Sequence, residues 1–219
     1  MIAIVRKALV EAVSTFVFVF TVIGVVNSAD PLGPLAIGLA LTVLVYAAGH
    51  LSGAHLNPAV SLGVLIRGGL DAASFPLYLC AQFVGATLAA SASLVVWPFA
   101  PEALAVREWP AFLVECLVTF VLVWVVLNVA TSKDHPTNSF YGLAIGGTVF
   151  VGAVAVGGIS GGAFNPAVAF GLALTGHFGW GSFWVYLIAP LLGAALAAGL
   201  FRTLCADEFI GTGASSSPE

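Results

Sequence analysis

The chain has 219 residues, 60% of them hydrophobic and only 7% charged, with a net charge of −4. A soluble domain carries about 25% charged residues, so this chain lacks the polar groups to cover a water-facing surface and reads as an integral membrane protein. Its 6 Lys and Arg residues leave no basic surface for a nucleic acid, and no His/Cys set has metal-ligand spacing, so neither metal nor cofactor is expected.

In chain order, apolar runs predict spans over residues 8–27, 34–51, 75–97, 109–131, 140–158 and 181–204, each close to the roughly 20 residues a crossing needs. Two shorter helices are expected at 57–67 and 165–175. Arg6 and Lys7 precede the first run, which has a counterpart later in the chain and so reads as a retained span, not a cleaved signal. Cys80 and Cys116 fall inside spans and Cys205 near the end, so free thiols are expected. The Gly- and Ser-rich stretch 211–219 reads as a disordered tail. Five of the six basic residues (Arg6, Lys7, Arg67, Lys133, Arg202) fall on one side of a six-span chain and Arg107 on the other, which puts both termini in the cytoplasm.

The two short helices belong to matched segments. Residues 49–63 (GHLSGAHLNPAVSLG) and 157–171 (GGISGGAFNPAVAFG) agree at 8 of 15 positions. Each runs a small-residue loop into Asn-Pro-Ala, with Asn57 and Asn165 as helix N-caps and Pro58 and Pro166 at the first helical position, followed by Ala59 and Ala167. The match extends outward: 11–20 answers 115–124 at 5 of 10 positions, and 78–90 answers 186–198 at 8 of 13. Each half reads span, span, half-helix, span. Three crossings per half invert the second copy, giving one channel domain over 1–219 built from inverted repeats at about 5–100 and 108–206, the kind of fold whose site lies at the repeat interface.

Irregular backbone at membrane depth is tolerated only when buried in protein or lining a wet cavity. The carbonyls of Gly53, Ala54, His55 and Leu56, and of Gly161, Gly162, Ala163 and Phe164, are therefore expected to form two acceptor ladders along a water path. Where the ladders meet, each helix N-terminus brings about half a positive charge, and the Asn57 and Asn165 side-chain NH2 groups are expected to stay free for a passing oxygen. Such a centre repels cations and protons and accepts neutral polar solutes.

On these residues the chain resembles the aquaporin (major intrinsic protein) family over about residues 5–205. The resemblance implies an all-α hourglass of six tilted membrane helices and two half-helices, a homotetramer in the bilayer with one pore per subunit, and no enzymatic activity. It gives Glu11 and Glu115 a structural role, accepting hydrogen bonds from the loop backbones, and places His55 on the pore wall. His50 reads as structural, and Phe16, Phe18, Phe20, Trp124 and Trp184 as lipid-facing or packing residues.

One departure stands out. The family's outer constriction falls on Ile37, Ala153, Gly162 and Val168, and Val168 occupies the place of the usual arginine. Loss of that fork of donors, with two nearly absent side chains, predicts a wider passage than a water filter, with ion exclusion resting on the helix dipoles; a narrow version of the same Ile and Val ring would instead gate by dewetting. Some bacterial members similar at this position pass metalloid acids or methylated arsenicals. The expected function is thus a passive channel for small neutral solutes, such as water, polyols or arsenite, in a bacterial inner membrane. A secondary transporter built on the same repeat, and a non-conducting structural membrane protein, are the alternatives.

Overall fold

A computed structural model describes residues 2–98 and 102–206; the expected tail at 211–219 lies outside the described residues. The described chain is helical: α1 (Ile2–Ser28), α2 (Gly33–Ser52), α3 (Pro58–Arg67), α4 (Phe75–Val96), α5 (Glu108–Val126), α6 (Tyr141–Ser160), α7 (Pro166–Leu174) and α8 (Phe183–Leu204). Six helical stretches are long and apolar enough to cross a membrane. α1 starts six residues before the apolar run does, because Arg6 and Lys7 continue the helix past its apolar part; its 27 residues at about 1.5 Å each outreach the ~30 Å hydrocarbon core. α5 does not end at Val126 but runs on as one π turn, Leu127–Thr131.

The molecule is apolar outside and polar at selected points inside. On α1, Leu9, Val13 and Val17 are exposed at helical spacing, while Glu11, Thr15 and Val19 on the opposite side are fully buried. Leu113, Leu117 and Val121 of α5 are likewise exposed, and Glu115 and Thr119 buried. Since lipid tails are as apolar as leucine, the helices gain little by hiding hydrophobic side chains from lipid; close packing through small residues holds them instead. Gly85 of α4 lies against the Ala12 carbonyl of α1, and Gly193 of α8 against the Cys116 carbonyl of α5. Gly38 and Gly146 make the same close approach between α2 and α6. A Cβ at any of these positions would enter the neighbouring backbone.

The short helices start inside this frame. Asn57 and Asn165 are extended (φ −156° and −155°), and their Oδ1 atoms accept from the Ala59 and Ala167 amides at 2.8 and 2.9 Å, with Val168 N a longer contact at 3.4 Å. Pro58 and Pro166 supply the preset φ of the first helical residue. α2 and α6 end on glycines in the left-handed region, Gly53 (φ 95°) and Gly161 (φ 85°), which turn the chain back toward the interior.

Candidate functional site: a polar seam through the membrane

The two loops between these helix ends have the same backbone pattern. Positive φ recurs at Gly53, Ala54 and Leu56 in the first, and at Gly161, Gly162 and Phe164 in the second. Side chains at positive φ are uncommon, and three non-glycine residues hold it here because buried carboxylates grip the amides around them. Glu11 Oε1 accepts from Ser52 Oγ (2.7 Å) and His55 N (3.0 Å), and its Oε2 accepts from Leu56 N (2.8 Å). Glu115 Oε1 accepts from Ser160 Oγ (2.7 Å) and Ala163 N (3.0 Å), and its Oε2 from Phe164 N (2.6 Å). Tyr78 and Tyr186 each donate at 2.6 Å to the carbonyl of the loop serine, Ser52 or Ser160. The acids are thus in contact with backbone amides of both loops.

The loops differ in one respect. Gln82 Nε2 adds a fourth bond to Glu11 (2.9 Å) and a bond to Ser61 Oγ (3.0 Å), which also contacts His55 Nδ1 at 3.1 Å. In the second half these positions are Pro190, Ala169 and Ala163, so Glu115 has fewer donors and no polar cluster forms beside it. His55 is buried against Tyr78 and at the same time contributes to the cavity wall.

The helix starts meet through their asparagines. Asn57 Nδ2 donates to the Phe164 carbonyl (2.9 Å) and Asn165 Nδ2 to the Leu56 carbonyl (2.8 Å). This corrects the expectation of wholly free NH2 groups. One proton of each is held across the loops, which leaves one per side chain, and the Leu56 and Phe164 carbonyls expected to face a water path are already accepting. Leu56 itself, fully buried, is absent from the cavity wall, whereas Phe164 contributes to it.

Beside this centre runs a cavity of about 330 Å³ whose wall extends from Val26, near the end of α1, to His135 and Pro136 beyond α5. Of the residues expected on its wall, Gly53, Ala54, His55, Asn57, Gly161, Gly162, Ala163, Phe164 and Asn165 are there. Of the expected outer constriction, Ile37, Gly162 and Val168 line it. Ala153 does not; it lies behind Gly162, and Val149, one turn earlier on α6, reaches the wall instead. Phe18, expected to pack or to face lipid, lines the cavity with Val22, Leu41 and Leu172, so the half nearer Val26 is walled by hydrocarbon apart from loop backbone. At the other end His50, expected to be structural, lines the mouth together with Asn138 and Tyr141. Neither Phe18 nor His50 carries a sequence signal for this, because an apolar helix does not mark which of its faces meets a pore. Among the described residues no group of three or more His, Cys, Asp or Glu is placed to hold a metal ion, and Cys80, Cys116 and Cys205 form no disulfide with one another.

Comparison with known proteins agrees with this geometry. The family model described as major intrinsic protein matches residues 1–201. Glycerol uptake facilitator protein-like 6 of Lactiplantibacillus plantarum is 40% identical over 216 residues, covering 93% of this chain and all of that protein. Aquaporin NIP2-1 of Zea mays is 34% identical over 215 residues, covering 93% of this chain and 72% of the plant protein. Among solved structures, the aquaglyceroporin from Plasmodium falciparum superposes with a TM-score of 0.80 at 25% identity, covering 95% of this chain and all of that one. With six membrane spans, two capped half-helices and a cavity between them, the chain belongs to the major intrinsic protein family and is a membrane channel of the aquaporin and glycerol-facilitator type, not an enzyme.

Proposed function

We propose that the chain is a passive channel for small neutral solutes larger than water as well as water itself, polyols and metalloid hydroxy-acids such as arsenite being the classes its wall suits. The observation that carries the reading is the head-to-head arrangement of α3 and α7 on one cavity, with Asn57 and Asn165 each tied to the opposite loop on its wall. Two helix N-termini put about one elementary positive charge in total at that point. A cation meets this field in a low-dielectric setting, and a water file cannot keep one donor direction through it, so cations and protons are refused. A neutral hydroxyl can donate a hydrogen bond to a loop carbonyl and accept one from an asparagine NH2.

Ile37, Gly162 and Val168 are proposed as the outer constriction, with Val149 in the place expected of Ala153. This ring has neither charge nor side-chain donors, which favours width over tight water selection. The glycerol-facilitator name of the bacterial relative supports a polyol among the solutes. The two halves, about 5–100 and 108–206, are proposed to be inverted repeats of one domain. The channel is proposed to act as a homotetramer in a bacterial inner membrane, termini in the cytoplasm, as the one-sided basic residues suggest.

Purified protein in proteoliposomes, with shrinkage and reswelling followed by light scattering for water, glycerol, urea and arsenite, tests the reading. Conduction of water and at least one larger solute, with an activation energy near that of free diffusion and no proton leak, is expected. Vesicles no more permeable than empty ones to all four would overturn it.

A further inference from the structure

The cavity mouth farthest from Val26 is shaped by a feature that one half of the chain has and the other lacks. The π turn Leu127–Thr131 ends α5: the regular ladder runs to Val126 and widens for one turn before Ser132 leaves the helix. Its carbonyls are taken up by side chains from elsewhere. Asn138 Nδ2 donates to the Val129 carbonyl at 2.6 Å and to the His135 carbonyl at 3.0 Å. Arg67, the last residue of α3, donates from Nε to Thr131 Oγ1 at 3.2 Å and from Nη2 to the Thr131 carbonyl at 3.1 Å, while its guanidinium lies 5.3 Å over the Phe201 ring. Thr131 Oγ1 in turn donates to the Leu127 carbonyl at 2.6 Å, closing the turn on itself. Val126, Val129, Ala130 and Asn138 all line the cavity.

The corresponding positions of the other half behave differently. The residue matching Arg67 is Thr175, whose hydroxyl bonds back to its own helix at the Gly171 carbonyl, 3.1 Å away. The stretch of α1 matching the π turn, residues 23–27, is regular helix. The π turn therefore occurs where a forked donor at the end of a half-helix reaches it.

We infer that Arg67 is a positioning residue for permeation: by holding Thr131 it keeps the π turn wound so that Val129 and Ala130 form the wall of this mouth, a second size-determining constriction set from the asparagine helix itself. α3 has 10 residues and so spans about 15 Å at ~1.5 Å per residue, which ties the mouth rigidly to the channel centre. Without the fork the end of α5 is released to rewind toward α-helix, in which side chains step by about 100° per residue, and Val129, inside the rewound turn, is carried off the wall. The inference rests on the channel reading, and its test has a readout that does not.

In a background with the three native cysteines replaced by alanine, Val129→Cys is labelled with a small charged methanethiosulfonate in the presence of Arg67, Arg67→Met, Arg67→Lys or Thr131→Val. Labelling is expected to fall at least fivefold in Arg67→Met and in Thr131→Val. Lysine, a point donor without the fork, is expected not to restore it. In parallel, the erythritol-to-water permeability ratio of the Arg67→Met channel is expected to rise at least threefold. Unchanged labelling in all three variants, or full rescue by lysine, overturns the inference whether or not the parent conducts. A parent that passes nothing defeats the channel reading instead, and labelling still decides the geometry. Thr131→Val, which removes only one hydroxyl, covers the case of an Arg67 variant that does not fold.

Discussion

The side-chain amide of Asn57 donates to the carbonyl of Phe164 across the middle of the molecule, at 2.9 Å. The same side chain caps its own helix through Oδ1, so one residue fixes where α3 begins and where the opposite loop ends. Asn165 does the same in reverse toward Leu56. The two loops are thereby tied together beside the cavity by two bonds, each between a helix start and the other half's backbone, and each asparagine keeps one proton for a solute.

Asn57→Ala should remove both functions together. Losing an N-cap costs about 1 kcal/mol, and the Phe164 carbonyl is left with only the longer contact from Thr119 Oγ1 at 3.4 Å, which costs about 1–2 kcal/mol more for a buried acceptor. Asn57→Asp keeps the capping acceptor but sets a carboxylate oxygen against that carbonyl and a negative charge between the helix N-termini. The alanine variant is expected to melt earlier in detergent, whereas the aspartate variant is expected to leak protons, read with a pH-sensitive dye inside vesicles. Aspartate vesicles as proton-tight as the parent would argue against a charge barrier at this point.

Glu11 and Glu115 hold the loops by accepting, so a neutral isostere should harm the fold without touching conduction of protons. Glu11→Gln turns one acceptor oxygen into a donor facing either Ser52 and His55 or Leu56 and Gln82, and leaves at least one buried N–H unpaired at about 1–3 kcal/mol. A lower melting temperature with an unchanged, low proton conductance is the expected pair of results. A proton conductance that drops from a measurable parent value would instead assign Glu11 to a relay.

The sequence displays the frame of this protein and hides its bore. Spans and half-helices are local properties: apolar length marks the first, and Asn-Pro-Ala after a glycine-rich loop marks the second, so both could be read from residues alone. The π turn at 127–131 depends on Arg67, some sixty residues away, and no propensity of Leu-Asn-Val-Ala-Thr announces it. Which apolar residue meets the pore is equally non-local. Phe18 and Phe16 are two positions apart on α1 and look alike in sequence, yet only Phe18 lines the cavity. The place expected of Ala153 passes to Val149 because the rotation of α6 is set by its close crossing with α2 at Gly38 and Gly146.

That crossing is itself a sensitive point. A Cβ at Gly146 would run into Thr42 Oγ1 and the Gly38 carbonyl, both held inside α2. Gly146→Ala should therefore push the helices apart at a cost of about 1–3 kcal/mol, whereas Gly147→Ala, which meets nothing nearby, should be neutral. Thermal melting of the two variants side by side checks this, and equal stability would mean the crossing is looser than its geometry.

His177, between α7 and α8, makes stability depend on pH. His177 Nδ1 lies 2.8 Å from Thr175 Oγ1, and its Nε2 is buried without a hydrogen-bond partner among the described residues, so the ring has little to hold a second proton. Burial holds this imidazole below its ordinary value. The unfolded chain then takes up the proton at higher pH than the folded one. Stability from this residue is full above about pH 6.5, declines as pH falls through that value, and levels off only below the lower folded pKa. The melting temperature of the parent is expected to drop between pH 7 and pH 5 by more than that of His177→Gln. Parallel curves would show that His177 carries no part of the dependence.

Val168 decides how far the chain departs from a water filter. It sits on the first turn of α7, its amide within 3.4 Å of Asn165 Oδ1, and its side chain lines the cavity beside Gly162 and Ile37. An arginine there would place five donors and a fixed charge in a ring that now has neither. It would narrow the passage and add partners that water can use but a bulky metalloid acid cannot pass. Val168→Arg is therefore expected to lower glycerol and arsenite permeability at least tenfold while water falls by less than half. Reswelling rates for the three solutes, measured on vesicles with matched protein content, give the comparison. If all three fall together, the arginine has merely plugged the pore; if none falls, the constriction lies elsewhere, and the Val129 mouth becomes the place where this channel chooses its solute.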